Sequence, residues 1–239
     1  MNKPRPTARP KVLVIDVGGS HVKCLVSGET TRRKFASGRG LTPRQMVEGV
    51  LAIVGDWRFD AVSIGYPGVV RRGAPVAEPH HLAPGWVGFD FEAAFGRPVR
   101  IVNDAAMQAL GAYQGGKMLF LGLGTGLGSA LIVEGQIVAM ELGHLRHSKK
   151  HDYEDLLGKR GFGRLGKKKW RHKVRSAVRG FSAALLPDDI VVGGGQADRL
   201  RKLPPRTRRT DNAAAFIGGF RLWDESIPDA SAQTYKDLS

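Results

Sequence analysis

Residues 13–29 read LVIDVGGSHVKCLVSGE, and residues 119–135 read LFLGLGTGLGSALIVEG. Each stretch has an apolar run, a glycine-rich turn and a second apolar run, which is typical of two β-strands joined as a hairpin. The pattern recurs after 106 residues and therefore indicates two related halves. Apolar runs around glycines are common, so the repeat alone is weak evidence for two halves. The side chains near the two turns strengthen it.

Strands alternate with helices along the rest of the chain, which predicts an α/β protein. The helix after Thr42-Pro43 is expected to run up to Trp57, because threonine caps helices, proline suits the first turn, and apolar residues follow at helical spacing. The predicted strands cover residues 12–17, 22–27, 61–66, 99–102, 118–123, 129–133 and 190–192.

A long amphipathic helix is predicted over residues 165–186, ending at Pro187. A surface loop is predicted over residues 203–209. A flexible extension is predicted over residues 1–10, and a loose polar tail over residues 224–239. The apolar face of the long helix contains Trp170, Val174, Ala177, Val178, Phe181, Ala184 and Leu185.

Composition excludes several classes of protein. Hydrophobic residues make up 42% of the 239 residues and charged residues 25%, which predicts a packed core rather than a disordered chain. The apolar stretches fall far short of the roughly 20 residues of a membrane span, and no secretory leader pattern is present. Cys24 is the single cysteine, so we expect a cytoplasmic protein without an intrachain disulfide or structural zinc.

Positive charge is concentrated in one segment. Lys and Arg number 37 against 22 Asp and Glu, a formal net charge of +15. Residues 146–209 hold 19 of these cations and six of these acids, so this segment alone carries +13. Such a field favours a polyanionic partner, although a solvated basic face that aids solubility explains the charge equally well.

The two glycine turns are candidate phosphate sites, because glycine lets backbone N–H groups face an anion without obstruction. Asp16 ends the first strand, where one carboxylate can hold a hydrated Mg²⁺ ion. Ser20 and Lys23 add a hydroxyl and a cation. The alternative is two tight hairpins that need glycine for their backbone conformation.

Two further groups of side chains could bind a hydroxylated substrate. Asn103-Asp104 lies at a strand-to-helix junction, where Asp104 is a candidate catalytic base and either residue is a candidate helix cap. Glu141 and His144 suit a polyol, since a carboxylate accepts from hydroxyls and an imidazole donates or accepts. Together with His147 and His151 they could also be metal ligands or plain surface residues.

Two glycine motifs are less informative. GAYQGGKM, residues 111–118, approaches a nucleotide P-loop but has Met118 in place of the magnesium-binding hydroxyl, and a strand follows. GFGRLG, residues 161–166, fits a dinucleotide fingerprint without the buried strand that should precede it. We therefore expect neither to bind a nucleotide.

Taken in order, these motifs resemble the ROK family of sugar kinases over residues 12–223, and within it the polyphosphate-using subgroup. The resemblance implies two actin/hexokinase-like (ribonuclease H-like) lobes, residues 11–105 and 106–223, with a cleft between them. It implies a catalytic Asp104, and it places the following residues at ligands. They are Gly68, Asn103, Asp104, Glu141, His144 and Glu154 at the sugar; Asp16, Gly18, Gly19, Ser20, Lys23, Gly124, Thr125, Gly126 and Gly128 at phosphate; Gly193, Gly194 and Gly195 at a nucleoside; Lys167, Lys168, Lys169 and Arg171 along polyphosphate; and Asp16 at the metal.

The chain also departs from the family pattern. Ser20-His21 stands where the family favours Thr-Gly, the zinc-binding cysteine cluster is missing, and the helix after Asp104 lacks an expected acidic residue. Because the residues before the first predicted strand are few, we expect a kinase of the family rather than a repressor member with a DNA-binding domain.

The resulting hypothesis is a homodimeric sugar kinase. It would transfer a phosphoryl group from polyphosphate or ATP, with Mg²⁺, to the 6-hydroxyl of glucose or a related hexose. The alternative is a catalytically impaired protein of the same fold that binds polyanions or nucleic acid. Nucleic acid is the less favoured partner, because neither an RNA-reading aromatic motif nor a helical DNA-reading module is apparent.

Overall fold

The computed structural model describes residues 9–211 and 213–224. The predicted extension, residues 1–10, lies outside the described residues except for its last two positions, and the predicted tail lies outside them except for Asp224. In the first half the elements are β1 (Val12–Val17), β2 (His21–Val26), β3 (Arg33–Ala36), α1 (Pro43–Val54), β4 (Ala61–Tyr66), β5 (Val70–Arg71), β6 (Ala74–Pro75), α2 (Phe91–Phe95), β7 (Val99–Asn103) and α3 (Asp104–Ala112).

The second half repeats the same plan. Its elements are β8 (Lys117–Leu123), β9 (Leu127–Val133), β10 (Gln136–Met140), α4 (Tyr153–Leu157), α5 (Lys159–Leu185), β11 (Asp189–Gly193), β12 (Thr207–Arg209) and α6 (Ala213–Arg221). Single turns of 3-10 helix cover Leu142–His144 and Ala197–Arg199.

Two five-stranded sheets within the described ranges have equivalent strand orders. One is β3-β2-β1-β4-β7 and the other is β10-β9-β8-β11-β12. In both, the first three strands form an antiparallel meander, and the next two join parallel to the strand that opens the meander. The shared topology confirms the α/β class and the two-lobed fold, and it accounts for the sequence repeat.

Helix α1 begins as its sequence predicts. The Thr42 hydroxyl accepts the Gln45 N–H at 3.3 Å, and the Gln45 side chain accepts the Thr42 N–H at 3.0 Å. This capping box satisfies N–H groups that have no partner inside a helix. Met46, Val50 and Val54 are buried, so the apolar stripe of α1 packs on the first sheet as its spacing indicated.

Helices α3 and α6 pack closely in a core shared by both sheets. That core includes Val14 of β1, Phe120 of β8 and Phe216 of α6. A Cβ atom on Gly111 would overlap the backbone carbonyl of Ala214, so glycine is needed where the two helices touch. The sequence analysis predicted α3 but did not predict α6.

Helix α5 starts earlier than predicted. It begins at Lys159 rather than Leu165, and it is broken at Gly166, whose φ of 70° lies in the left-handed region that favours glycine. The glycines of GFGRLG, residues 161–166, therefore lie within α5, with Gly166 at its break. Trp170, Val174 and the other predicted inward residues up to Phe181 are buried, but Ala184 is exposed, so that prediction was wrong.

The segment predicted as a surface loop contains a strand. Thr207–Arg209 forms β12, which pairs parallel with β11 at the edge of the second sheet. Its polar sequence has no apolar alternation, so its pairing depends on the neighbouring strand rather than on its own pattern. No helix among the described residues is long and apolar enough to cross a membrane.

Candidate active site

Asn103 and Asp104 lie where β7 ends and α3 begins. The Asn103 side-chain oxygen accepts N–H groups from Ala105 at 2.9 Å and Ala106 at 3.2 Å, so it caps the helix. Its Nδ2 donates to the Gly68 carbonyl at 3.0 Å, which ties the turn after β4 to this helix. Because an amide nitrogen carries two N–H bonds, Asn103 can hold Gly68 and also donate to a ligand.

Asp104 has the chemistry of a base near neutral pH. Burial raises its pKa to about 7, and the negative charge of Asp16 acts in the same direction. The Ala105 N–H, which donates to Asp104 Oδ1 at 2.7 Å, opposes the rise, and the charge of Glu141 adds to it. Because the charges of Asp16 and Glu141 both raise the pKa of Asp104, these three carboxylates lie around one site.

The first glycine turn joins β1 to β2 beside Asp16. Gly18 donates its N–H to the His21 carbonyl at 3.0 Å, which closes the turn. Ser37 also holds it, donating its hydroxyl to the Gly18 carbonyl at 2.6 Å and its N–H to the Ser20 carbonyl at 3.0 Å. Gly19 and Ser20 are exposed, so the outer side of this turn is open to a ligand.

Asp16 and Lys23 form an ion pair across this hairpin. Lys23 Nζ donates to Asp16 Oδ2 at 3.1 Å, and the Asp16 side chain is only 13% exposed. Among the described residues, no group of three or more His, Cys, Asp or Glu side chains is placed to hold a metal ion. One carboxylate nevertheless fits Mg²⁺, which keeps several waters and takes its remaining ligands from substrate phosphates.

The second glycine turn joins β8 to β9 and is held by the start of α5. The Lys159 N–H donates to the Gly124 and Thr125 carbonyls, each at 3.1 Å. A Cβ atom on Gly126 would overlap the Glu154 carboxylate, so Glu154 lies directly against the turn. A Cβ atom on Gly128 would lie 2.8 Å from the Ala105 methyl group, which places β9 against the first turn of α3.

Glu141 precedes the 3-10 turn that follows β10, and His144 is the last residue of that turn. The His144 N–H donates to the Glu141 carbonyl at 3.1 Å. Loss of hydration raises the pKa of Glu141, His144 lowers it, Glu154 raises it, and His80 lowers it again. Glu141 therefore interacts electrostatically with His144, Glu154 and His80.

Ser129 positions the backbone around Glu141. Its buried hydroxyl donates to the Met140 carbonyl at 3.0 Å and accepts the Leu142 N–H at 3.0 Å. The sequence analysis missed Ser129. A serine at a position where the strand needs an apolar side chain was the only local indication of it.

The third glycine segment, Gly193 to Gly195, lies against the second turn. The Gln196 N–H donates to the Leu123 carbonyl at 2.9 Å. Gly194 has a φ of 81°, and a Cβ atom there would lie 2.5 Å from the same carbonyl oxygen, so this close approach requires glycine. The end of β11 is thereby fixed beside the end of β8.

A basic groove of about 340 Å³ lies between α5 and the segment that follows β11. Lys169, predicted along the polyphosphate path, is exposed but does not line this groove. The sequence analysis did not place Arg201 or Lys202 opposite the lysines of α5. The lining side chains among the described residues are Lys167, Lys168, Arg171, Arg175, Arg201 and Lys202.

The structure thus brings candidate residues from both sheets toward the N-terminus of α3. Asp16, Gly68, Asn103 and Asp104 arrive from the first sheet, and the second glycine turn with Glu141 and Glu154 arrives from the second. A carboxylate base between glycine turns is suited to moving a phosphoryl group onto a hydroxyl. The basic groove is a separate feature on α5.

This fold and this arrangement define a sugar kinase of the actin/hexokinase-like class. Residues 12–155 match the ROK family, and the chain belongs to that family. It is similar to the polyphosphate glucokinase of Mycobacterium leprae (strain TN), with 28% identity over 235 residues that cover 88% of this chain and 72% of the relative. The N-acetyl-D-glucosamine kinase of Photobacterium profundum is 35% identical over 155 residues, which cover 55% of this chain and 51% of that relative.

Solved structures agree with this assignment. The inorganic polyphosphate/ATP-glucomannokinase from Arthrobacter sp. strain KM superimposes with a TM-score of 0.76 and 26% identity, over 90% of this chain and 98% of that one. A ROK glucokinase from Streptomyces griseus, solved with glucose and AMPPNP, has a TM-score of 0.70 and 18% identity, over 89% of this chain and 98% of that one, and supports the fold alone. The chain is therefore a ROK sugar kinase similar to polyphosphate glucokinases.

Proposed function

We propose that this protein transfers a phosphoryl group to the 6-hydroxyl of glucose or a closely related hexose. The observation that carries the proposal is Asp104, a carboxylate with a pKa of about 7 at the N-terminus of α3. Its neighbours are the two glycine turns and the Glu141 cluster, which suit a phosphate chain and a polyol respectively. The names of the M. leprae and Arthrobacter relatives support the same substrate class.

In this reaction Asp104 accepts the proton of the attacking hydroxyl. Phosphoryl transfer passes through a loose transition state, so the protein mainly orients the alcohol and stabilises spread charge. A base whose pKa lies near the working pH is in its ionised form often enough to act and remains basic enough to take the proton. Sugar hydroxyls would bind to Gly68, Asn103, Glu141, His144 and Glu154.

The donor phosphates would lie between the two glycine turns. Gly18, Gly19, Ser20 and Lys23 would contact them from the first hairpin. Bound Mg²⁺ would neutralise donor charge, and Asp16 is the residue that would hold it, through water. From the second hairpin the contacts are Gly124, Thr125, Gly126 and Gly128, and a nucleoside would lie near Gly193, Gly194 and Gly195.

Polyphosphate is the proposed donor alongside ATP. The basic groove presents cations from α5 and from the segment after β11, and α5 begins at the turn that contains Thr125. A linear polyanion longer than a triphosphate would extend from that turn along α5 into the groove. Lys167, Lys168 and Arg171 of the predicted path line the groove. Binding that depends on several cations weakens steeply as salt is added.

The test crosses polyphosphate and ATP with glucose, mannose and N-acetylglucosamine, at low and moderate salt, with detection of the sugar phosphate. Glucose 6-phosphate is expected from both donors, with the stronger salt dependence for polyphosphate. Arg201→Glu should raise the KM for polyphosphate several-fold more than the KM for ATP. Arg179→Glu, the same charge change on α5 outside the groove lining, is the matched control.

Two outcomes reject parts of this proposal. Sugar phosphorylation with ATP alone at every salt concentration removes polyphosphate as a donor. No phosphorylation of any of the sugars with either donor rejects the kinase activity itself. Cytoplasmic location and a homodimer stay predictions, which fractionation and light scattering would test.

The basic groove also supports a second candidate, a polyanion-binding protein that has lost catalysis. Six cationic side chains line it, and Ser20-His21 replaces the residues expected in the first turn. Gel shift with nonspecific DNA and binding of labelled polyphosphate would test it. Tight binding of either polyanion together with no sugar phosphorylation would favour this second function.

A further inference from the structure

Residues 78–87 form a loop that is closed at its base by one carboxylate. Glu78 accepts N–H groups from Gly85 and Trp86, each at 3.0 Å, and from Val87 at 3.3 Å. Desolvation opposes ionisation of this carboxyl, yet the three donors hold the pKa of Glu78 below its usual value. A charged acceptor for three backbone donors fixes the shape of the loop.

The loop is also anchored to the first sheet. The Tyr66 hydroxyl donates to the Ala77 carbonyl at 2.8 Å, just before the loop. Trp86 is fully buried, with its ring 5.7 Å from the Tyr66 ring, and its Nε1 donates to the Ala83 carbonyl at 2.8 Å. These contacts hold the loop from both ends.

His80 and His81 lie within this anchored loop, and both are exposed. A Cβ atom built on Gly19 would lie 3.2 Å from His81 Cβ, 3.8 Å from Cγ and 3.9 Å from Cδ2. The His81 side chain therefore packs directly against the first glycine turn. The sequence analysis assigned no role to either histidine, because nothing local connects residue 81 with residue 19.

We propose that His81 binds the phosphoryl donor, donating an imidazole N–H to a phosphate oxygen held at the first glycine turn. This inference rests on the proposed function, since it assumes that the turn binds phosphate. Lys23, the cation of the same hairpin, is already paired with Asp16. A neutral imidazole carries one N–H donor and a protonated one carries two, so His81 supplies a donor in either state.

The test measures binding rather than turnover. Isothermal titration with tripolyphosphate in the presence of Mg²⁺, and separately with glucose, compares the wild-type protein with His81→Ala. We expect His81→Ala to weaken tripolyphosphate binding about tenfold or more, as loss of a hydrogen bond to a charged group does, and to leave glucose affinity within twofold. His172→Ala, an exposed histidine on α5 outside the groove lining, is the matched control.

Two further variants separate hydrogen bonding from packing. His81→Asn keeps an N–H donor without the ring and should retain more tripolyphosphate affinity than His81→Ala. His81→Phe keeps a ring against Gly19 without a donor and should lose as much affinity as His81→Ala. Circular dichroism and thermal unfolding check that each variant is folded.

Three results overturn the proposal: no measurable tripolyphosphate binding by the wild type, equal binding by the wild type and His81→Ala, or His81→Phe binding as tightly as the wild type. Failure of the proposed function has a different signature. A protein whose tripolyphosphate affinity depends on His81 but which phosphorylates no sugar retains this binding role and loses only the kinase activity.

Discussion

The β1–β2 and β8–β9 hairpins occupy equivalent places in the two sheets but differ in their chemistry. In the first, Asp16 faces Lys23 across the strands, and the ladder closes at Val17 and Val22. In the second, Gly122 faces Gly128, and the ladder closes at Leu123 and Leu127. One hairpin thus carries a charged pair where the other carries bare backbone.

The difference shows how one topology can supply two parts of a single site. Asp16 places a charge near Asp104 and raises its pKa. Gly126 and Gly128 instead leave room for Glu154 and for the first turn of α3. The repeat therefore conserves where the turns lie, while the side chains beside them determine what each turn contributes.

The largest expected effect comes from the residue between the two hairpins. Asp104→Asn removes the base but keeps the size of the side chain, so kcat should fall by a factor on the order of 10² or more, with the glucose KM and the unfolding temperature little changed. Steady-state kinetics with both donors measure this. Asp198→Asn, on an exposed side chain, is the control, and a kcat within threefold of wild type for Asp104→Asn would exclude it as the base.

A smaller effect, on stability, is expected where Gly128 of the second hairpin packs closely against Ala105. Gly128→Ala would put a methyl group 2.8 Å from the Ala105 methyl, so the free energy of unfolding should fall by about 1–3 kcal/mol. Urea denaturation measures the change. Gly124→Ala, where an added Cβ meets no atom within 4 Å, should cost much less, and equal unfolding midpoints for the two variants would contradict the packing argument.

The smallest expected effect concerns the charge on the first hairpin. Asp104 must be ionised to act as a base, so kcat/KM should rise with pH through about 7. At that pH the Asp104 carboxyl is deprotonated in half of the molecules. Asp16→Asn removes a negative charge that raises the Asp104 pKa, so the titration should move to lower pH. Carboxyl ¹³C NMR of Asp104 measures this in both proteins, independently of turnover.

Asp60→Asn is the matched control for Asp16→Asn in that experiment. Asp60 accepts the Lys11 N–H at 2.9 Å, just before β1 begins, whereas Asp16 lies near the other end of that strand. Its substitution should leave the Asp104 titration in place. A titration of Asp104 that stays fixed or moves to higher pH in Asp16→Asn would show that the first hairpin does not set the charge environment of this site.

Several features of the fold followed directly from the sequence. Thr42-Pro43 predicted the start of α1, the repeated glycine turns predicted two hairpins, and Asn103-Asp104 predicted a strand that runs into a helix. Each of these patterns is local. A cap, a turn and an alternating strand depend on residues within a few positions, whose conformational preferences the sequence carries by itself.

Other features depended on contacts between distant segments. The polar strand β12 forms because β11 offers an open edge, and Ser129 fixes the backbone at Glu141 from a neighbouring strand. The basic groove needs Arg201 and Lys202 to face α5, and His81 packs against Gly19 from a loop that Glu78 closes.

The sequence by itself determined the repeat, the glycine turns and a carboxylate at the head of a helix, because these depend on near neighbours in the chain. The tertiary structure decided which side chains meet at that carboxylate and how far its pKa rises. Desolvation and charge interactions depend on distances through space, and those distances exist only after the two sheets pack on α3 and α6.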